Sequence, residues 1–358
     1  MCRMTVYKGL GLDQSILLAD LIVKPKHSII HQSYDCHERF HNTGLPSQLN
    51  ADGFGIGWYA EKLYSAKTRD ELLFSPKRRV SDSFDGVVIP RNKEYETPCV
   101  FTSISPAWNN RNLVQLADKV RYHGMDDSHF RINFTRPRSS PLFFAHVRAA
   151  SIGSLTSETN CHPFTFDKYL FMHNGYNIHP SFFHLPSSSI LSDVAYKMIR
   201  GSTDSEHWCT HDDLSSFALF LTHLEELGPL DQEFSGKDMR HALGTTIRTL
   251  NHLCHTRYVN VSSSAAASLY FSSGSRWIRS VERPKEYIMQ RHNKEEKVFV
   301  MASERLSNEP SDWLEVPKNS IVTVTKEMNI QICPIVSLLG DEPEPEVVPQ
   351  SPAVLEKS

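Results

Sequence analysis

The sequence predicts an α+β layered fold, and three observations carry that prediction. Strand-like segments crowd the N-terminal half, two long stretches of helical periodicity follow, and a second strand-rich block comes after them. With strands at both extremes, the two ends of the chain are expected to build one structure. The alternation of Arg3 to Tyr7 reads as the first strand, and Asp13 followed by the Ile16, Leu17 and Leu21 stripe reads as a short helix with an acidic start. Phe54 to Ala60, Cys99 to Ile104, Leu142 to Val147 and Tyr169 to His173 read as further strands, rich in aromatic or branched residues and bounded by Gly, Pro, Asn or Ser. Asp204 to Leu227, with Phe217, Leu219, Phe220 and Leu224, and Asp238 to Leu253 carry helical periodicity. The later strands run from Ser268 through Val298 to Met301, then Ser320 to Thr325 and Ile330 to Ile335. Two polar stretches, near 75–97 and 122–141, have loop composition and read as surface insertions. One domain is expected to span residues 2–336, while the acidic, Pro-rich stretch 337–358 cannot bury a core and is expected to be disordered.

Composition narrows the function. A chain of 358 residues with 40% hydrophobic residues can bury a substantial core. With 38 basic and 41 acidic residues the formal charge is -3, which gives no global attraction to nucleic acid or an anionic membrane, and the basic run Lys77 to Arg79 is too short to change that. The apolar run Ile16 to Val23 is interrupted by Asp20 and falls far short of the roughly 20 residues a spanning helix needs. Residues 1–10 lack the apolar stretch and small-residue cleavage site of a secretory signal, so a cytoplasmic address is expected. The seven cysteines stand far apart with no Cys-x-x-Cys pair, which argues against a disulfide framework or a zinc knuckle. No cofactor and no metal are expected. His207 and His211 lie four apart, but no Glu follows His207 as in the zinc-peptidase pattern. The glycines of Gly53-Phe54-Gly55-Ile56-Gly57 lie in or before a strand rather than between strand and helix, so a dinucleotide site fails on context.

Chemistry points to Cys2. Removal of Met1 would leave a free α-amine beside the thiol, placing base and nucleophile on one residue. An α-amine with a pKa of about 7.7–8.0 can accept the proton of a thiol with a pKa of about 8.5, directly or through water. Four later segments supply what an amide-cleaving thiol needs. An apolar strand delivers Arg148 and Ser151 near its end, where a guanidinium fork suits a carboxylate. His162 precedes a proline that holds its backbone extended or in a turn. The strand ending in Asn174 and Gly175 offers a side-chain amide and a backbone N–H for an oxyanion. Asp204 opens a helix and suits an ammonium group. Each has an ordinary alternative taken singly: a structural ion pair, a packed loop histidine, a hairpin turn, an N-cap.

Their order resembles that of the class II glutamine amidotransferases, members of the N-terminal-nucleophile hydrolases. The matching segments are Cys2, Asp52-Gly53-Phe54-Gly55, His146-Val147-Arg148, Asn160-Cys161-His162-Pro163, His173-Asn174-Gly175 and Thr203-Asp204-Ser205-Glu206, in that sequence. The resemblance implies a four-layer αββα sandwich and attack of Cys2 on a γ-glutamyl carbonyl. It assigns the oxyanion to Asn174 and Gly175, the substrate carboxylate to Arg148, the ammonium to Asp204, and the pocket lining to Ser151 and His162. Ser151 stands where better-known members carry Thr. No synthase-like segment follows Ile335. Met301 to Glu304 and Trp313 to Pro317 resemble a single-domain subgroup without such a segment, and within it Pro106 to Leu113, Ser157 to Phe164 and Gly201 to Glu206 resemble the amidotransferase subunits of the fungal glutathione-degrading DUG complex. That implies hydrolysis of glutathione to glutamate and Cys-Gly with a peptidase-like partner subunit. A glutaminase supplying ammonia to a partner, or a non-catalytic scaffold subunit, is the alternative. Trp108 and the His27 to Ser33 segment are expected to wall the leaving group.

Overall fold

A computed structural model describes residues 2–10, 14, 16–37, 49–59, 97–119, 142–150, 156–174, 190–199, 212–257, 268–283, 286–291, 296–335 and 346–347. Of the two expected insertions, all but Thr97 lie outside these residues, as does most of the stretch after 336.

The expected first strand is β1 (Arg3–Gly9), whose side chains alternate between buried and half-buried as the sequence alternates. Two short helices follow, α1 (Ala19–Ile22) and α2 (Ile29–Gln32), the latter capped by Ser28, whose side chain accepts from the His31 amide. Strands β2 (Phe54–Tyr59) and β3 (Pro98–Ser103) precede α3 (Arg111–Lys119), and β4 (Leu142–Val147) precedes the hairpin of β5 (Phe164–Phe166) and β6 (Tyr169–Phe171). The helical block comprises α4 (Asp193–Lys197), α5 (Asp212–Glu225) and α6 (Gly236–Arg257). The last block is β7 (Tyr270–Gly274), β8 (Arg276–Arg279), β9 (Tyr287–Gln290), β10 (Val298–Ala302), β11 (Leu314–Glu315), β12 (Ser320–Val324), β13 (Ile330–Pro334) and β14 (Glu346–Val347).

Both ends of the chain do meet in one sheet. Its seven strands run in the order β11-β7-β10-β1-β4-β2-β3, with neighbours antiparallel. The first strand sits at its centre, Thr5 facing Ala302 on one side and Ala145 on the other. One face carries Tyr7, Phe143, Ala145, Val298 and Val300 into a core that α1, α2 and α3 cover with Leu18, Leu21, Ile29 and Leu113. The opposite face carries Phe271, Phe299 and Met301, which pack with Met328, Ile330 and Val322 of the β12–β13 segment. A separate cluster joins the β5–β6 hairpin to the helices, Phe164 and Tyr169 meeting Phe217, Leu221 and Ala242. The helices α2, α3 and α4 and the strand β5 were not read from the sequence: α2, α4 and β5 are short, and α3 carries only a narrow apolar stripe, Leu113, Leu116 and Ala117, in an otherwise polar segment. No described helix is long and apolar enough to cross a membrane.

Candidate active site

Strand alternation sorts the residues around Cys2. Met4 faces His146, and Arg3 faces Val147. Continuing the alternation, Cys2, Met4, His146 and Arg148 present their side chains to one face of the sheet, while Arg3, Thr5 and Val147 turn to the helix-covered core. The Cys2 thiol lies against the Ala149 peptide, accepting from its amide at 3.4 Å and lying 3.6 Å from its carbonyl oxygen. The 148–150 segment is itself tied to the turn before β2: the Arg148 amide donates to the Gly53 carbonyl at 2.8 Å, and the Ala150 amide to Asp52 Oδ2 at 2.7 Å.

The glycines of β2 find their use here. A Cβ on Gly55 would sit 2.1 Å from the His162 carbonyl oxygen, one on Gly57 would sit 2.7 Å from Pro163, and one on Gly53 would sit 2.6 Å from Cys161 Sγ. The bare backbone of β2 is therefore a track on which the Cys161-His162-Pro163 segment lies, on the same face as Cys2. Gly53 also holds φ at 117°, a conformation that an L side chain strains to adopt. The His162–Pro163 peptide is cis. His162 is fully buried, with its ring 4.3 Å from that of His146 and 4.4 Å from that of Phe164. Burial pushes the Cys161 thiol up to about 11 despite the opposing pull of Arg148, so this second cysteine stays protonated beside the first.

Asn174 lies three residues beyond the end of β6 and donates its side-chain amide to Ser303 Oγ at 3.4 Å. That hydroxyl also accepts the Met4 amide at 3.0 Å, so a single serine at the end of β10 ties Asn174 to the strand that follows Cys2. His146 Nε2 lies 3.0 Å from the His173 carbonyl oxygen, a second tie between β4 and the segment bearing Asn174. Cys2, Arg148, His162 and Asn174 are thus brought to one face of the sheet; Ser151, Gly175 and Asp204 lie outside the described residues.

The residues that sequence reasoning missed stand behind β1. Arg3 is 2% exposed and Glu304 is 1% exposed. Arg3 Nε donates to Glu304 Oε1 at 2.7 Å, and Arg3 Nη1 donates to the carbonyl oxygen of Cys2 at 2.9 Å. Glu304 Oε2 lies 2.6 Å from His27 Nε2 and accepts the His37 amide at 2.9 Å. Burial pushes the Glu304 carboxyl up, but His27, Arg3 and the His37 amide outweigh it and hold the group down at about 2. His27 thus meets Glu304, and Trp108 packs edge-on against Tyr34, 5.9 Å between ring centroids. His27, His37 and Glu304 offer three donor atoms within 4.8 Å of one another. Both carboxylate oxygens are already engaged, and the 2.6 Å contact leaves no room for a cation between His27 and Glu304, so the cluster is organised as a hydrogen-bonded ion pair. The signal was present in the sequence as a charge at an inward position of a core strand.

No family model matches the chain. An 18% identical structure, a glutamine aminotransferase class-II domain protein from Silicibacter pomeroyi, superposes with a TM-score of 0.48, covering 93% of this chain and 98% of that one. The chain is 33% identical over 369 residues to a probable glutamine amidotransferase, DUG3, of Saccharomyces cerevisiae (strain ATCC 204508 / S288c), covering 94% of this chain and 85% of the yeast protein. On that identity and coverage, the chain belongs to the glutamine amidotransferase family of the yeast protein.

Proposed function

We propose that this chain hydrolyses a γ-glutamyl amide bond with Cys2 as its N-terminal nucleophile. The observation that carries the reading is the seating of the Cys2 thiol on the Ala149 peptide, next to Arg148 and on the face where His162 and Asn174 gather. With Met1 removed, the α-amine takes the thiol proton and the sulfur adds to the γ-carbonyl. Asn174 and Gly175 stabilise the oxyanion, the intermediate collapses as the leaving nitrogen takes the proton from the ammonium, and water cleaves the resulting thioester. Arg148 holds the α-carboxylate, Asp204 the α-ammonium, and Ser151 and His162 line the pocket. The seated fold is a four-layer αββα sandwich within one domain of residues 2–336. Two contacts support the layering: α1–α3 cover one face of the large sheet, and α6 reaches the β12–β13 segment packed on the other, Arg240 Nη1 donating to Gln331 Oε1 at 2.8 Å.

The substrate of choice is glutathione, giving glutamate and Cys-Gly in the cytoplasm, in a complex with a peptidase-like subunit. The support is the similarity to the yeast DUG3 protein across nearly the whole chain. A glutaminase that supplies ammonia to a partner would use the same γ-glutamyl pocket. Product analysis with glutathione and with glutamine, each with and without a co-purified partner, separates them: Cys-Gly from glutathione is expected, whereas ammonia from glutamine with no Cys-Gly in any mixture would leave the glutaminase. Intact mass should show Met1 absent, and Cys2→Ser should abolish hydrolysis in a folded protein; a retained Met1 in active enzyme would defeat the free-amine mechanism.

A further inference from the structure

A buried ion pair is a poor device for stability, because removing two charges from water costs about as much as their attraction returns. A well-packed apolar pair at positions 3 and 304 would serve the core as well. What an apolar pair could not do is hold the Cys2 carbonyl. Arg3 spends one nitrogen on Glu304, 301 positions away in sequence, at 2.7 Å and another on that carbonyl at 2.9 Å, so the guanidinium fork links the nucleophile's own main chain to a distant carboxylate. Glu304 is in turn fixed on its other oxygen by His27 and by the His37 amide, and His27 stacks on His37 with ring centroids 4.2 Å apart. Each member is thereby oriented by the next, and the series ends on the residue that carries thiol and α-amine.

We propose that Arg3, Glu304 and His27 are positioning residues for Cys2: they fix its carbonyl from behind the sheet, and the balance of Arg3 against Glu304 sets the charge felt by the thiol. This rests on the reading of Cys2 as nucleophile. Several titratable or charged groups surround the thiol among the described residues. Arg3 lies behind it, Arg148 and Asp52 lie on the joined segments beside it, and Cys161, His146 and His162 lie on its own face. Glu304 is faced by Arg3, His27 and His37, with His31 and Asp35 beyond them. Neutralising Glu304 therefore leaves Arg3 uncompensated next to Cys2, which favours the thiolate.

The test is the pH dependence of Cys2 alkylation by iodoacetamide, followed by mass spectrometry of the N-terminal peptide. It needs no substrate, so it stands or falls separately from the choice of glutathione or glutamine. In Glu304→Gln the Cys2 pKa should fall by about one pH unit, and in the Arg3→Gln/Glu304→Gln double variant it should return to the wild-type value, as expected for a charge–charge coupling at this range. An unchanged or raised value in folded Glu304→Gln, or no return in the double variant, overturns the proposal. Should Glu304→Gln not fold, Arg3→Lys keeps the charge but cannot make both bonds. Its Cys2 pKa should stay at the wild-type value while kcat falls about tenfold at constant KM, the signature of lost positioning. An unchanged kcat there overturns the proposal equally.

Discussion

Gly55 shows how little space the site leaves at the level of single atoms. Alanine at 55 would press its Cβ to within 2.1 Å of the His162 carbonyl oxygen, backbone against which no side chain can rotate away. Gly55→Ala should therefore lower stability by roughly 1–3 kcal/mol, as overpacking does, and displace His162 from its seat. Urea unfolding would show a lower midpoint at unchanged slope, with activity reduced in parallel; a stable variant with full activity would mean that the track has slack. Cys161 makes the opposite point about reactivity. Its thiol, pushed up to about 11 by burial, is thiolate in only about one molecule in ten thousand at pH 7 and about one in a thousand at pH 8. Conditions that alkylate Cys2 in the native protein should leave Cys161 unmodified until denaturant is added, read by peptide mass. The sequence alone marked the glycines as strand residues and discarded a nucleotide site. It could not show that they clear a path for residues 161–163, because that contact joins segments about a hundred positions apart.

At the scale of elements, α1 is held to the β8–β9 hairpin by polar bonds at its one acidic residue. Tyr287 donates its hydroxyl to Asp20 Oδ1 at 2.6 Å, and Trp277 donates its indole N–H to the Asp20 carbonyl at 3.1 Å. Burial, and then the neighbouring Asp20 carboxylate, push the Tyr287 hydroxyl above its ordinary value of 10.0. A raised value in the folded state means that the stabilisation is complete below the unfolded value and is lost as pH rises above it. Tyr287→Phe should cost about 1 kcal/mol near neutrality, the worth of one such hydrogen bond, and the difference from wild type should narrow above about pH 10. Chemical denaturation at several alkaline pH values measures it; a gap that stays constant would show that the ring alone, not the hydroxyl, does the holding. The strands of the large sheet were legible because each has its own alternation and a bounding turn residue. Asp20 was legible only as an interruption of an apolar run, since its partners at 277 and 287 come from the far end of the chain. For the same reason Cys2, Arg148, His162 and Asn174 were readable as a set through their motif order, whereas Arg3 looked like an ordinary strand residue, and Ser303 and Glu304 stood in a resembling segment that suggested no role for either.

For the whole molecule, the decisive feature is that the first strand closes between the middle and the end of the chain, and the Arg3–Glu304 pair locks that closure from within. Glu304 is ionised in the fold down to about 2, against 4.5 for a free side chain. A depressed value in the folded state means that the stabilisation is present above the unfolded value and is lost as pH falls from 4.5 towards 2. Over that span the linkage amounts to something on the order of 3 kcal/mol. Glu304→Gln should be less stable than wild type by roughly 3–5 kcal/mol near neutrality, because it strands a buried guanidinium. That difference should hold steady down to the mid-acid range and then shrink, as the wild-type carboxylate begins to take up the proton that the amide never needed. Urea unfolding of both proteins at successive pH values between about 7 and 3 measures the difference directly. A gap that stayed constant across the acid range would show that Glu304 is not the group whose charge ties the two ends of the chain together.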